Sequence, residues 1–285
     1  MAMKTARARR LGFALRSYRE AAGLTLEEAA DEINSTRSTL SRYENAQTLV
    51  SPATVRSLLT LYGITGPELT GAVQLAKEAR VRGWWQSYSD VLDRRTLDFI
   101  ALEADAVAIV NFEPSIVPGL LQIPDYVRAV MRGGPGALPE ARVEQHVQAR
   151  LSRQERLTGN DPPLFEAIVD EAALLRPVGG GYVLQAQLRA LLKAAETPNV
   201  TIQVVPLAAG YHRGTGGSLH MLEFADPEDP RLASVETVAG QLILDRPADV
   251  RNCTKVMEHL RAVALSPDSS RDLISNLLQR KSAAS

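Results

Sequence analysis

A chain of 285 residues with 45% hydrophobic content can bury a large core and exceeds the usual single-domain size, so two domains are expected. The single cysteine, Cys253, excludes an intramolecular disulfide, a four-cysteine zinc site and a CxxC redox motif. The net charge of −1 hides a basic front end, since Lys4, Arg7, Arg9, Arg10, Arg16 and Arg19 precede the first acidic residue, Glu20, as in a nucleic-acid-binding module joined to a partner domain.

The basic N-terminus is not followed by an unbroken apolar run, and no stretch of roughly 18 apolar residues occurs, so neither secretion nor membrane spanning is expected. The protein reads as soluble and cytoplasmic. Residues 7–22 form a first helix with Leu11, Leu15, Tyr18 and Ala22 on one face and Gly23 to end it. Arg7 and Arg10, with Lys4 and Arg9, stand near its start, where cations oppose the helix dipole; a nearby phosphate backbone would explain them, and a merely soluble tail is the plainer alternative.

The stretch from Leu24 to Asn45 reads as two short helices joined by a tight turn. Leu26, Ala29, Ala30 and Ile33 make a helical stripe behind the capping box Thr25-x-x-Glu28. Asn34 and Ser35 supply turn chemistry, Thr36 caps a second helix, and Leu40 and Tyr43 point inward. Arg37, Ser38, Ser41 and Arg42 then face outward, with Thr36 and Thr39 completing the candidate DNA-contacting set. Arginine can bridge O6 and N7 of guanine, and short hydroxyls let a helix approach the major groove. A solvated helix face is the bland alternative, because such helix pairs also occur in purely structural roles.

Ser51-Pro52 starts a fourth helix striped by Val55, Leu58, Leu59 and Tyr62, and Gly63 and Gly66-Pro67 end it and restart the chain. A connecting helix with Leu69, Val73 and Ala76 follows. The expected domains are a helix-turn-helix bundle over 1–70, a connecting helix over 71–83, and an α+β domain over 84–285.

The order LGFALRSYREAAGLTLEEAADEINSTRSTLSRYENAQTLVSPATVRSLLTLYGI resembles the helix-turn-helix domain of XRE-family (Cro and lambda-repressor-like) regulators. The resemblance implies that residues 36–44 enter the major groove, with Arg37, Ser38 and Arg42 at base-facing positions. Two departures stand out. Leu26 replaces a phosphate-holding glutamine usual in the family, and Asn34-Ser35 replaces a common glycine and apolar residue. Asparagine tolerates the left-handed turn conformation, so the turn is expected to survive, with DNA affinity weakened or restored by dimerisation.

In GWWQSYSDVL, Trp84, Trp85 and Tyr88 form an aromatic cluster that either locks a domain junction or lines a ligand or partner pocket. Residues 93–110 have helical spacing, FEPSIVPGLLQIPDYVRAVMRGG reads as an apolar loop and a helix, and 139–158 as a long charged helix lying on a surface or pairing with another. Short β-branched or alternating runs follow at 164–170, 200–207, 218–224, 233–237 and 241–245, with a hairpin at 236–240 and a helix over 182–196 between the first two. Helices at 247–264 and 267–280 close the chain. The expected fold is a mainly α N-terminal helix-turn-helix bundle plus an α+β C-terminal domain with a mostly antiparallel sheet of four or five strands.

GWWQSYSDVL, the FEP…VPGLLQ…Y element, VDEAALLRPVGG, NVTIQVVPL, GYHRGTGGS and RAVALSPDSSRDLI resemble, in order, the C-terminal domain of actinobacterial XRE regulators of the WhiJ and antitoxin-like group. That resemblance implies a small partner protein encoded nearby and carries no specific binding residues with it.

Catalytic chemistry is not expected. His146, His212, His220 and His259 lack metal-ligand spacing, so no metal and no cofactor is implied. His212 and Arg213 sit in a glycine-rich loop that is either a plain connection or a ligand-contacting one. Asp170-Glu171 reads as a helix cap or a salt bridge to Arg176; an enzyme built on Asp170, Glu171 and His212 would need these residues to converge on a pocket. Cys253 reads as a packed thiol. The leading expectation is a homodimeric transcriptional regulator that binds a double-stranded operator and whose C-terminal domain dimerises and senses a small protein or ligand. The alternative is an antitoxin-like protein that sequesters a small partner and autoregulates its operon.

Overall fold

The computed structural model describes residues 5–81, 83–134, 138–226, 229–237 and 240–283. Contacts divide the chain into two compact units, residues 1–87 with 100–105 and residues 88–99 with 106–285.

The first unit is a bundle of α1 (Ala6–Ala21), α2 (Leu26–Glu32), α3 (Arg37–Glu44), α4 (Pro52–Leu61) and α5 (Gly66–Glu78). Side-chain caps start four of them. Thr5 accepts from Ala8, Thr25 and Glu28 form the full reciprocal box, Thr36 accepts from Thr39, and Ser51 accepts from Thr54 ahead of Pro52. Their apolar stripes meet in one core built on Leu11, Leu15, Ala30, Leu40, Leu58 and Leu59. The segment read as a connecting helix is the latter part of α5, whose Val73 and Ala76 belong to that same core.

The tightest approach in the bundle is α1 against the end of α3. A Cβ on Gly12 would lie 2.5 Å from the carbonyl oxygen of Glu44 and 2.8 Å from that of Tyr43, so only glycine fits. Beside it the buried Arg19 guanidinium grips the buried Glu44 carboxylate through two hydrogen bonds of 2.6 and 2.9 Å and also donates to the Leu24 carbonyl at 2.8 Å.

The second unit is built on a six-stranded mixed sheet in the order β3-β2-β1-β4-β5-β6. The strands are β1 (Ala108–Glu113), β2 (Leu164–Asp170), β3 (Val200–Val205), β4 (Ser218–Glu223), β5 (Leu232–Thr237) and β6 (Gly240–Leu244). β1, β2 and β3 run parallel, joined by α7 (Pro124–Arg132) with α8 (Glu140–Gln154) and then by α9 (Glu171–Leu175) with α10 (Gly180–Ala194). β4, β5 and β6 continue antiparallel from the other side of β1, so three of five neighbouring pairs are antiparallel, as expected. The sheet has one strand more than expected.

That extra strand is the central one. Residues 93–110 do not form one helix: α6 (Arg94–Asp105) stops, and after Ala106 and Val107 the chain becomes β1. No glycine or proline separates it from the helix, which hides the change of element from pattern analysis.

One sheet face carries Val110, Phe112, Ile168, Leu219 and Met221 against Met257 and Leu260 of α11 (Pro247–Val263). The half-buried Cys253 packs there as expected, and burial pushes its thiol pKa up. α12 (Pro267–Ala283) closes the β3 edge, where the Val204 amide donates to Ser270 Oγ and the Val204 carbonyl accepts from Leu265. The long charged helix pairs with another, since Arg128 of α7 holds Glu144 of α8 at 2.5 and 2.9 Å. Part of the 236–240 hairpin, Val238 and Ala239, lies outside the described residues.

The glycine contacts predict opposite outcomes for one substitution type. Gly12→Ala should lower the denaturant-measured stability of the bundle by about 1–3 kcal/mol, because backbone carbonyls block the methyl. Gly71→Ala, on α5 with nothing within 4 Å of the added carbon, should raise stability by up to about 1 kcal/mol through helix propensity.

Candidate nucleic-acid interface

The helix pair α2–α3 is held from both ends. Asn34 adopts φ 50°, the left-handed conformation expected of it, and Ser35 returns its amide to the Ala30 carbonyl at 2.8 Å to close the turn. Leu26 packs its side chain partly against the bundle core. α3 then buries Leu40 and Glu44 while Thr36, Arg37, Ser38 and Arg42 stand exposed, with Thr39 and Ser41 half-buried.

These outward residues have different chemistry left to offer. Thr36 and Thr39 are engaged in the cap, where their hydroxyls lie 2.9 Å apart, and Asn45 donates to both the Ser41 carbonyl and its hydroxyl. Among the described residues, the side chains of Arg37, Ser38 and Arg42 make no hydrogen bond or ion pair within the chain. Two guanidinium forks and one hydroxyl are thus presented on a helix whose other side is fixed by Leu40, Gly12 and the Arg19–Glu44 pair. Tyr62 lies near the same pair; burial, reinforced by the Glu44 charge, pushes its hydroxyl pKa up to about 12.

Arg7 and Arg10 are exposed but turned elsewhere. The Arg7 guanidinium faces Glu78 at 3.9 Å and Asp105 at 3.3 Å, and Arg10 lines a groove of about 370 Å³ between α1 and α5 together with Glu68 and Glu78. Arg10 and Gly12 lie two residues apart on α1, about 200° around a helix, so the side of α1 that meets α3 is not the side carrying Arg10.

Comparison with known families places these two units. A Helix-turn-helix domain model matches residues 10–71, and a second model, Domain of unknown function (DUF5753), matches residues 96–276, more than half of the chain. The chain belongs to the DUF5753 family. No curated protein and no solved structure matches it. The N-terminal match covers α2 and α3 and makes the first unit a helix-turn-helix domain, the kind found in DNA-binding regulators. Among the described residues no helix is long and apolar enough to cross a membrane.

Within the family-defining unit, Asp170 and His212 do meet. Asp170 Oδ1 caps α9 by accepting from Ala172 at 2.8 Å, and its Oδ2 lies 3.0 Å from His212 Nε2. His212 is 3% exposed, stacks edge-on against Phe112, and its Nδ1 has no hydrogen-bond partner among the described residues. Glu171 accepts from the Leu207 amide, and Arg176 donates to the Ser115 carbonyl, so the cap reading holds and the Asp170–Arg176 bridge does not. Arg213, next along, is exposed.

The residues of the candidate ligand set are divided between the two units. Trp84, 38% exposed, and Trp85, buried with its ring edge-on to Trp84, belong to the first unit. Tyr88 belongs to the second, where its hydroxyl lies 3.3 Å from Ser152 of α8. Arg150 of the same helix acts on Glu113, whereas His212 stacks on Phe112; adjacent strand residues point to opposite faces, so Tyr88 and His212 lie on opposite sides of the sheet.

Sequence reasoning missed a buried polar centre on the face opposite α11. Glu113 accepts from Ser218 Oγ at 2.5 Å and from Asn111 Nδ2 at 3.2 Å, with His220 Nε2 3.9 Å away. Ser234, paired in register with His220, is buried and its hydroxyl lacks a hydrogen-bond partner among the described residues. The signal was present: two polar residues at alternate positions of AIVNFE, an otherwise apolar strand. No group of three or more potential metal ligands occurs among the described residues.

Burial raises the Glu113 carboxyl from its ordinary 4.5 to about 7, with Glu236 adding to the shift and Ser218, Asn111 and Arg150 opposing it. A carboxyl raised on folding contributes stability that is full below about pH 4.5 and lost as the pH climbs through about 7. The loss should approach about 3 kcal/mol across that window. Denaturant titrations at stepped pH should show this decline in the native chain, and Glu113→Gln should flatten it; an unchanged slope would place the titration on another group.

Proposed function

We propose that this protein is a sequence-specific DNA-binding transcriptional regulator in which α3 enters the major groove. Arg37 and Arg42 read base edges, and Ser38 permits close approach. The observation that carries this reading is the exposure of three unengaged donors on a short helix fixed by a buried ion pair inside a helix-turn-helix domain. Arg7 and Arg10 are left out of the contact set, because acidic side chains of their own unit stand beside them.

The second unit serves as the dimerisation and signal-receiving part, placing two copies of α3 on a two-fold operator with half-sites about 34 Å apart. The Asp170–His212 contact clasps the loop after β3 to the end of β2, a structural role in this reading. A cytoplasmic regulator of the WhiJ-like type fits this reading.

An operator selected from a random duplex library provides the test. Arg37→Ala and Arg42→Ala should each cost about 1–3 kcal/mol of discrimination against single-base variants at one position. Arg10→Ala should leave affinity and salt dependence unchanged. Equal discrimination by the wild type and both α3 variants would remove α3 as the reading element.

A further inference from the structure

The two edges of the sheet are treated differently. The β3 edge is closed: Val204 gives its amide to Ser270 Oγ and its carbonyl to the Leu265 amide, and Gln203 donates to the Leu265 carbonyl. β6, at the other end of the strand order, pairs with β5 alone among the described residues. Proteins normally blunt such an edge with charge, proline or a bulge. From Gln241 to Leu244 this strand has no charged residue and no proline, and Leu242 is 54% exposed.

The register with β5 fixes which backbone groups of β6 face outward. Thr237 pairs with Gly240, Val235 with Leu242 and Ala233 with Leu244. With only two residues between Thr237 and Gly240, those are the pairs that exchange backbone hydrogen bonds, which leaves the amides and carbonyls of Gln241 and Ile243 directed outward.

We propose that β6 pairs antiparallel with β6 of a second copy of this chain, about a two-fold axis passing through Leu242. Gln241 of each copy then faces Ile243 of the other, all the outward groups of these residues are satisfied, and the five-residue strands overlap end to end. Leu242 meets its own copy across the axis as a non-hydrogen-bonded pair, Cα atoms about 4.5 Å apart. Its side chain lies on the same sheet face as Val235 and Leu244, which with Val250 and Cys253 are only partly buried against the core beneath α11. The contact therefore extends from a strand edge onto an apolar rim, and it is isologous, the symmetry that a palindromic operator requires.

This inference rests on the dimeric reading above and names its interface. Sedimentation equilibrium of the full chain should give a dimer for the wild type and a monomer for Ile243→Pro, which deletes an outward amide while leaving the β5 bonds intact. In a Cys253→Ser background, Leu242→Cys should form an intermolecular disulfide on mild oxidation, whereas Thr201→Cys on the closed β3 edge should not. If Ile243→Pro fails to fold, the disulfide pair decides. A wild-type dimer with Leu242→Cys uncrosslinked overturns the β6 interface and leaves the dimeric reading standing. A wild-type chain that stays monomeric, free and on its selected operator, overturns both.

Discussion

An eight-residue helix cannot hold itself in water, so whatever α3 does depends on the Arg19–Glu44 contact and the glycine beside it. Two buried charges are costly to desolvate, and their attraction offsets that cost only with full hydrogen bonding. Here Glu44 receives two bonds from one guanidinium, whose remaining reach is taken by the Leu24 carbonyl. Because that carbonyl sits at the entrance to α2, one arginine fixes the start of the helix pair and the end of its second member together. A well-packed apolar substitute could match the stability of the pair but not this two-point placement.

In the second unit the governing constraint is the position of β1. It has β2 parallel on one side and β4 antiparallel on the other, so the direction of strand addition reverses there. The carboxyl end of a strand at such a reversal is where open α/β sheets tend to place polar chemistry. Glu113 ends β1 there, beside Ser218 at the start of β4, with its carboxyl raised toward neutrality. Retaining a buried acid whose carboxyl is raised on folding works against stability near neutral pH, which sets this centre apart from the apolar packing around it.

The elements legible in the sequence were those with local signals. Capping residues and i, i+3, i+4 stripes marked α1 to α4 closely, and the five strands set off by turns or polar flanks were all found. β1 was not, because it follows α6 without a breaker and is buried on both faces. Contacts between residues distant in sequence left no trace in any periodicity. Arg19 and Glu44 are 25 residues apart, Asp170 and His212 are 42 apart, and both pairs consist of residue types that read equally well as surface. A count of basic residues likewise shows the charge of the N-terminus but not that Glu78 and Asp105 face Arg7.

The turns flanking α3 bear on how it would meet a partner. Asn34 precedes it at φ 50° and Ala46 follows it at φ 51°, both in the left-handed region, which asparagine tolerates and which costs alanine about 1–2 kcal/mol. At Ala46 the cost is accompanied by a return: its methyl group is buried against Ala8 and Ala79, which a glycine could not supply. Ala46 and Gln47 also bond back to the Tyr43 and Arg42 carbonyls, closing the C-terminal end of the helix. A helix closed by hydrogen-bonded turns at both ends, one of them packed, has few alternative poses to lose on binding, so less of any interaction energy is spent on ordering it. Only the long side chains of Arg37 and Arg42 remain to be fixed, and their planar forks lose less freedom per hydrogen bond than lysine would. With Leu26 turned partly into the core, the outward chemistry of the helix pair is concentrated in these two arginines and Ser38.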